Sequence, residues 1–284
     1  IHILKPDADK YLSSWKTENT LYVHMLSEPP TLHIVNENNA NRTTITSLLH
    51  NSIMMNDPIN LSITPDLVKA MPEVSADGLH YTYELRDEPT FDDGNKVTVK
   101  DIEFTFKIYK SPLTDNPNMK PYLDNLISIT TDPKNDRRFT MNMKQQYIQN
   151  NYFLTDCPIV QQTVYDPKNL FGKFSLQQVS DTSFASSAPQ EIKGWENNFN
   201  GLAYCSDVSN MKGLGVYQIT EWNKGVSVTL VKKKNHWSYK LAHPSAYETA
   251  FPEKIIFMFN KDENSEVLEL KNQTYDVTNF LSTK

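Results

Sequence analysis

The chain has 284 residues, of which 38% are hydrophobic, 22% charged and 11% aromatic. That length and composition suit one large or two ordinary folded domains with a sizeable core, and exclude a disordered chain. A formal net charge of −6 excludes a protein whose main task is gripping phosphate backbones, because that affinity comes from clustered Lys and Arg; no nucleic-acid partner is expected.

No apolar run approaches the ~20 residues of a membrane helix. The sequence opens at Ile1 rather than Met, so a leader removed upstream stays open, and residues 1–19 read as a polar lead-in or tether. Cys157 and Cys205 lack any C-x-x-C spacing. In an oxidising compartment they either pair with each other or stand as two independent small hydrophobes.

In chain order, "TLYVHML" from Thr20 reads as a buried strand stopped by Pro29-Pro30. The polar loop "NENNANRTT" follows, then a helix in "ITSLLHNSIMM" with Ile45, Leu48, Leu49 and Ile53 at helical spacing. Beyond the Asp77-Gly78 turn, Tyr81, Tyr83 and Leu85 alternate with polar residues as in a strand. After a second turn at Asp93-Gly94, Thr98 and Asp101 form a capping-box pattern before a helix carrying Ile102, Phe106 and Tyr109.

"RRFTMNMK" reads as a strand with Phe139, Met141 and Met143 on one face, and "YIQNNYFLTD" as a short helix. Residues 173–213 are rich in Ser, Asn and Gln with weak periodicity, and read as a long loop or insertion. "GVYQITEW" and "VSVTLVKK" about a Gly-containing turn form a hairpin, and Lys232-Lys233-Lys234 reads as a solvated turn. A strand in "EKIIFMFN", a helix in "NSEVLELKN" and an extended "YDVTNF" close the pattern. Interleaved strands and helices make the fold class α/β or mixed α+β.

Motifs for hydrolase elbows, helical zinc sites and phosphate loops are absent, and "GLGVYQ" lacks the third glycine and the helix of a dinucleotide fingerprint. The seven histidines show no metal-binding spacing, so each reads first as a satisfied polar residue. Asp92-Asp93 fits a turn better than an acid–base pair. No cofactor and no catalytic group is expected.

Several segments in order resemble the extracellular solute-binding proteins of family 5, which include the oligopeptide-, dipeptide- and nickel-binding proteins of bacterial ABC importers. They are "EPPTLHI", "LLHNSIMMND", "PDLVKAMPEVSADGLHYTYELRDEPTFDDGNKVTVKDIEFTF", "GLGVYQITEWNKGVSVTLVKKKNHW" and "PEKIIFMFNKDENSEVLELKNQTYDVT". Departures are Leu214 and Val216 where the family favours Thr and Pro, Gln273-Thr274 in place of Gly-Glu, and no Trp before the Asp77 turn.

The resemblance implies a periplasmic-binding-protein-like class II (cluster C) first lobe with an inserted subdomain, the second lobe missing. Residues 20–50 with 163–278 would form the lobe core, 51–162 the insertion, and 279–284 the start of the crossover. It implies a non-enzymatic receptor, monomeric, periplasmic or cell-surface and lipid-anchored through a removed leader. Its partners would be a small peptide or other small-molecule ligand and a membrane ABC permease. Asn38, Asn39 and Ala40 would offer backbone groups to an extended ligand, Tyr122 would form a cleft wall, and Thr278 and Asn279 a hinge. A sensor or protein-interaction module on the same fold, and a secreted enzyme, are the alternatives.

Overall fold

A computed structural model describes residues 19–36, 39–148, 150–201, 207–242 and 244–278. Residues 1–18 of the lead-in, Asn38, Cys205 and Asn279 with the rest of the crossover therefore lie outside the described residues.

The strands are β1 (Thr20–Met25), β2 (Met54–Asn56), β3 (Ile63–Pro65), β4 (Glu73–Val74), β5 (His80–Glu84), β6 (Leu126–Asp132), β7 (Asn135–Met143), β8 (Tyr217–Asn223), β9 (Ser227–Lys232), β10 (Lys254–Phe259) and β11 (Val277–Thr278). They build a five-stranded sheet in the order β11-β1-β10-β9-β8, a four-stranded sheet β4-β5-β7-β6, and the hairpin β2-β3. In the larger sheet β1 runs parallel to β10 and β11, with Val23 opposite both Phe257 and Val277, while β9 is antiparallel to β10 and β8. The smaller sheet is wholly antiparallel.

Each sheet gives one set of alternating residues to a hydrophobic core, as a period of two produces, and in the larger sheet His24 and Thr229 on the other face are buried as well. Val23, Met25, Val228, Leu230, Ile255 and Phe257 form one core with Ile45 and Leu49. Tyr81, Tyr83, Phe139 and Met141 form a larger one with Ile102 and Phe106 of the Val99–Lys110 helix. Residues on both sides of position 162 contribute to this larger core, among them Phe153, Tyr165, Phe171, Trp195 and Phe199. The capping box at the start of that helix forms as the sequence predicts: Thr98 N–H donates to Asp101 Oδ2 (2.8 Å), and Asp101 N–H to Thr98 Oγ1 (3.4 Å). Asp101 Oδ1 accepts the Gln162 N–H (2.8 Å), which ties the helix start to the next segment.

Three readings need correction. The first helix is Ala40–Thr46, placed mostly on the polar stretch, and it takes in only Ile45 and Thr46 of the apolar run expected to carry it. Asn39 caps it, and beyond its end the carbonyls of Leu48 and Leu49 accept from the N–H groups of Tyr217 (3.2 Å) and Gly215 (2.8 Å). Those nonlocal bonds replace the next turn of helix, and Ile53 leads instead into β2. Residues 173–213 are not a long loop: helices occupy Leu176–Ser180, Phe184–Ser187 and Gln190–Phe199, the last burying Ile192, Trp195 and Phe199. Lys233 is not solvated; it is largely buried and pairs with Asp92 at 2.6 Å.

Candidate functional site

β1 ends at Met25, and Pro29 and Pro30 lead the chain into residues 31–36, where His33 is buried. Its Nδ1 accepts from the N–H groups of Val35 (3.1 Å) and Asn36 (2.9 Å), and its Nε2–H donates to the Phe199 carbonyl (2.7 Å). A ring that both accepts and donates is neutral, and burial lowers its pKa to about 4. Arg42 Nη1 donates to the carbonyls of His33 (2.7 Å) and Ile34 (3.2 Å), and Tyr109 Oη donates to Ile34 (3.3 Å). Asn36 Nδ2 donates to Asn200 Oδ1 at 2.9 Å. The loop is thus braced from the protein interior at several points.

Asn39 Oδ1 accepts from the N–H groups of Asn41 (3.0 Å) and Arg42 (3.2 Å), and the Asn39 carbonyl accepts from Thr43 (2.9 Å). Ala40 is the exposed first residue of the helix, and its carbonyl accepts the Thr44 hydroxyl (3.0 Å). Tyr122 is 66% exposed on a short turn, Lys120–Leu123. Thr278 lies in β11 opposite His24, and its hydroxyl donates to Glu266. Cys157 is a free, buried thiol whose pKa burial raises well above the usual range.

Behind the braced loop lies a cavity of about 360 Å³. Its wall includes Arg42, His50, Asn51, Asp66, Asp156 and Met119. Asn51 Nδ2 donates to both carboxylate oxygens of Asp66 (2.9 and 3.1 Å), and Ser52 N–H to Oδ2 (3.2 Å). Burial first, and the nearby Glu248 second, push the Asp66 pKa up to about 7 against those hydrogen bonds and Arg86. Burial, with Lys233 and Arg42 adding, pulls His50 down to about 3. Sequence reasoning missed this cavity: Asp66 follows Pro65, and nothing local marks its side chain as buried.

Across from His50, Gly213 and Gly215 let two backbones meet. A Cβ on Gly213 would lie 2.1 Å from the Leu49 carbonyl oxygen, and one on Gly215 2.3 Å from that of Leu48. The glycines that fail as a nucleotide motif therefore serve close packing. Asp92 accepts the Gly213 N–H (3.0 Å) and pairs with Lys233, whose Nζ donates to the Gly213 carbonyl (2.9 Å).

Among the described residues no group of three or more His, Cys, Asp or Glu side chains stands ready to hold a metal ion. No helix among them is long and apolar enough to cross a membrane. His33 and His236 spend both ring nitrogens on neighbouring groups, as the reading of satisfied histidines expects, whereas the Nδ1 of the buried His50 has no hydrogen-bond partner.

The family model for bacterial extracellular solute-binding proteins, family 5 Middle, matches residues 62–284. The chain belongs to this family. No curated protein matched it. Among solved structures, this family 5 chain is similar to the oligopeptide-binding protein AppA from Bacillus subtilis in complex with a nonapeptide. The TM-score is 0.68 at 16% identity, over 90% of this chain and 43% of that one. AgaA from A. tumefaciens R10, in complex with agropinic acid, matches with a TM-score of 0.66 at 21% identity, over 91% and 43%. NikZ from Campylobacter jejuni, in complex with Ni(L-His), matches with a TM-score of 0.63 at 17% identity, over 93% and 43%.

At such identities the likeness is one of fold, and it is the mixed α/β fold of solute-binding proteins. The family 5 chain spans less than half the length of these structures. Family and fold are those of binding proteins rather than enzymes.

Proposed function

We propose that the chain forms the leading lobe of a solute-binding receptor that captures a peptide against a second lobe and delivers it to a membrane ABC permease. The observation that carries this reading is the loop of residues 31–36, which His33, Arg42 and Tyr109 fasten from behind, so it has little freedom left to lose. A preorganised backbone edge suits an extended ligand held through its main chain, which accepts many side chains.

In this reading Asn38, Asn39 and Ala40 face the ligand, Tyr122 walls the cleft, and Thr278 with Asn279 carries the hinge. The relatives' ligands, a nonapeptide, agropinic acid and a nickel–histidine complex, show how widely the fold is used. Peptide is favoured here over a bare metal ion because no group of three or more metal-ligating side chains occurs among the described residues.

Mass spectrometry of material co-purifying with the full-length gene product tests the reading, and short peptides are expected. Consistently empty protein would favour the sensor alternative. Calorimetry on the 284-residue chain is expected to show peptide binding weaker than micromolar, because much of the enclosing surface belongs to the second lobe. Sub-micromolar binding by this chain would overturn the two-lobe reading.

A further inference from the structure

The Gln190–Phe199 helix ends against the loop of residues 31–36. Its Ile192, Trp195 and Phe199 are buried, and Asn200 closes the last turn with its N–H on the Glu196 carbonyl (2.9 Å), so the Asn200 side chain stands on a fixed support. The Phe199 carbonyl accepts the His33 ring N–H (2.7 Å), and Asn200 Oδ1 accepts from Asn36 Nδ2 (2.9 Å). The same oxygen accepts the Asp115 N–H (3.2 Å), while Asn200 Nδ2 donates to the Leu113 carbonyl (2.7 Å). One amide side chain thus joins two segments far apart in sequence.

Those segments lead to the two elements assigned above to the ligand. Asn36 stands just ahead of Asn38, Asn39 and Ala40. The segment from Leu113 leads to the Lys120–Leu123 turn that carries Tyr122, and Lys120 Nζ donates back to the Thr114 carbonyl (2.8 Å). The other braces act further back: Arg42 holds the His33 and Ile34 carbonyls, and Tyr109 that of Ile34. An asparagine suits the position because it accepts and donates at once; an aspartate would turn an acceptor toward the Leu113 carbonyl.

We propose that Asn200 is a positioning residue of the ligand cleft, fixing the spacing between the 38–40 edge and the Tyr122 wall and thereby setting the affinity for peptide. The inference rests on the peptide-receptor reading. Asn200 acts through Asn36 and Leu113 rather than on the peptide itself. Without the clamp the two segments take up other spacings, and apparent affinity falls with the fraction of molecules that keep the competent one. A fraction reduced to about a tenth weakens binding about tenfold.

Amide hydrogen exchange on the 284-residue chain tests the clamp without a ligand. Exchange at the Val35 and Asn36 N–H groups, which bond to the His33 ring, should be at least about tenfold faster in Asn200→Ala, with Tyr81 and Tyr83 of the smaller sheet unchanged. Calorimetry on the full-length gene product with trialanine and pentaalanine tests the consequence. Asn200→Ala and Asn36→Ala should each bind about tenfold more weakly, and the double variant well under about a hundredfold, because both substitutions cut the same bond. Tyr217→Phe, which removes a hydroxyl bond to the Pro252 carbonyl in the other core, should leave affinity unchanged; weakening equal to that of Asn200→Ala would reduce the effect to general stability and overturn the positioning role. Unchanged exchange at Val35 and Asn36, unchanged affinity in Asn200→Ala, or simple additivity in the double variant would overturn the proposal and leave the receptor reading standing. Failure of the unaltered product to bind either peptide would overturn the receptor reading and this inference with it. If Asn200→Ala does not fold, Asn36→Ala decides by the same two measurements.

Discussion

His24 Nδ1 lies 3.0 Å from Glu266 Oε1, both side chains about 1% exposed, where β1, β11 and the Glu263–Lys271 helix meet. The same Glu266 oxygen accepts the Thr278 hydroxyl, and His24 Nε2 lies 3.0 Å from the Asn260 carbonyl. Asp276 adds two bonds to β1, its N–H donating to the Tyr22 carbonyl (2.9 Å) and its Oδ2 accepting the Tyr22 N–H (2.8 Å). The segment proposed as the hinge thus leaves the lobe from a buried polar anchor. Removing one partner of such a pair leaves the other unsatisfied, so Glu266→Ala should cost about 3 kcal/mol and Glu266→Gln clearly less. Urea denaturation of the two variants checks this; equal costs would show that the charge is immaterial.

Close approach at Gly213 makes a sharp contrast with Gly194. Gly213→Ala drives a Cβ into backbone, not into a movable side-chain end, and should cost about 3 kcal/mol. Gly194 sits inside the Gln190–Phe199 helix with nothing within 4 Å of a built Cβ. Gly194→Ala should therefore stabilise by about 0.8 kcal/mol through helix propensity. The two shifts in denaturation midpoint should have opposite signs.

Trp195 tests whether residues 173–213 belong to the folded unit. Its ring stacks on Phe199 at 4.5 Å and meets Phe171 edge-on at 4.7 Å, and its Nε1 donates to the Tyr165 carbonyl at 2.6 Å. Trp195→Ala should cost about 4 kcal/mol, as large aromatic truncations in cores do. A cost near zero by the same urea assay would return the region to a dispensable insertion.

Acid should destabilise the chain. His33, His50 and His236 have pKa values lowered to about 4, 3 and 4, chiefly by burial. Between those values and the unfolded value of about 6.5, the unfolded chain binds protons that the folded chain refuses. Their contribution is complete above about pH 6.5 and is lost as pH falls through 4, at up to about 4 kcal/mol per pH unit for the three together. Asp66 works the other way: its raised pKa stabilises the fold at low pH and loses that contribution as pH rises through about 7. Calorimetric melting should fall from pH 6.5 to pH 5, and fall more steeply in Asp66→Asn. A flat profile would mean that the histidines charge in place.

Some of the fold is legible from short stretches because its causes are local. The alternation of Tyr81, Tyr83 and Leu85, the Thr98–Asp101 capping box and the hairpin from Tyr217 to Lys232 each depend on neighbours within a few residues, and each forms as read. Ile192, Trp195 and Phe199 also carried a helical spacing, but within a polar stretch that masked it. The two-residue strand β4 and the weakly alternating β6 gave no comparable signal, since pairing with β5 and β7 creates them.

By itself, then, the sequence determined the order of most strands and helices, the turns at Gly78 and Gly94 with their positive φ, and the resemblance that led to the family. Only the tertiary structure decided where the first helix stops, why Gly213 must be glycine, that Lys233 is largely buried, and that Asp66 and Asn51 share a cavity. Those outcomes rest on atoms brought together from residues far apart in the chain. Burial and backbone approach are set by the packed whole, and no local pattern of hydrophobicity encodes them.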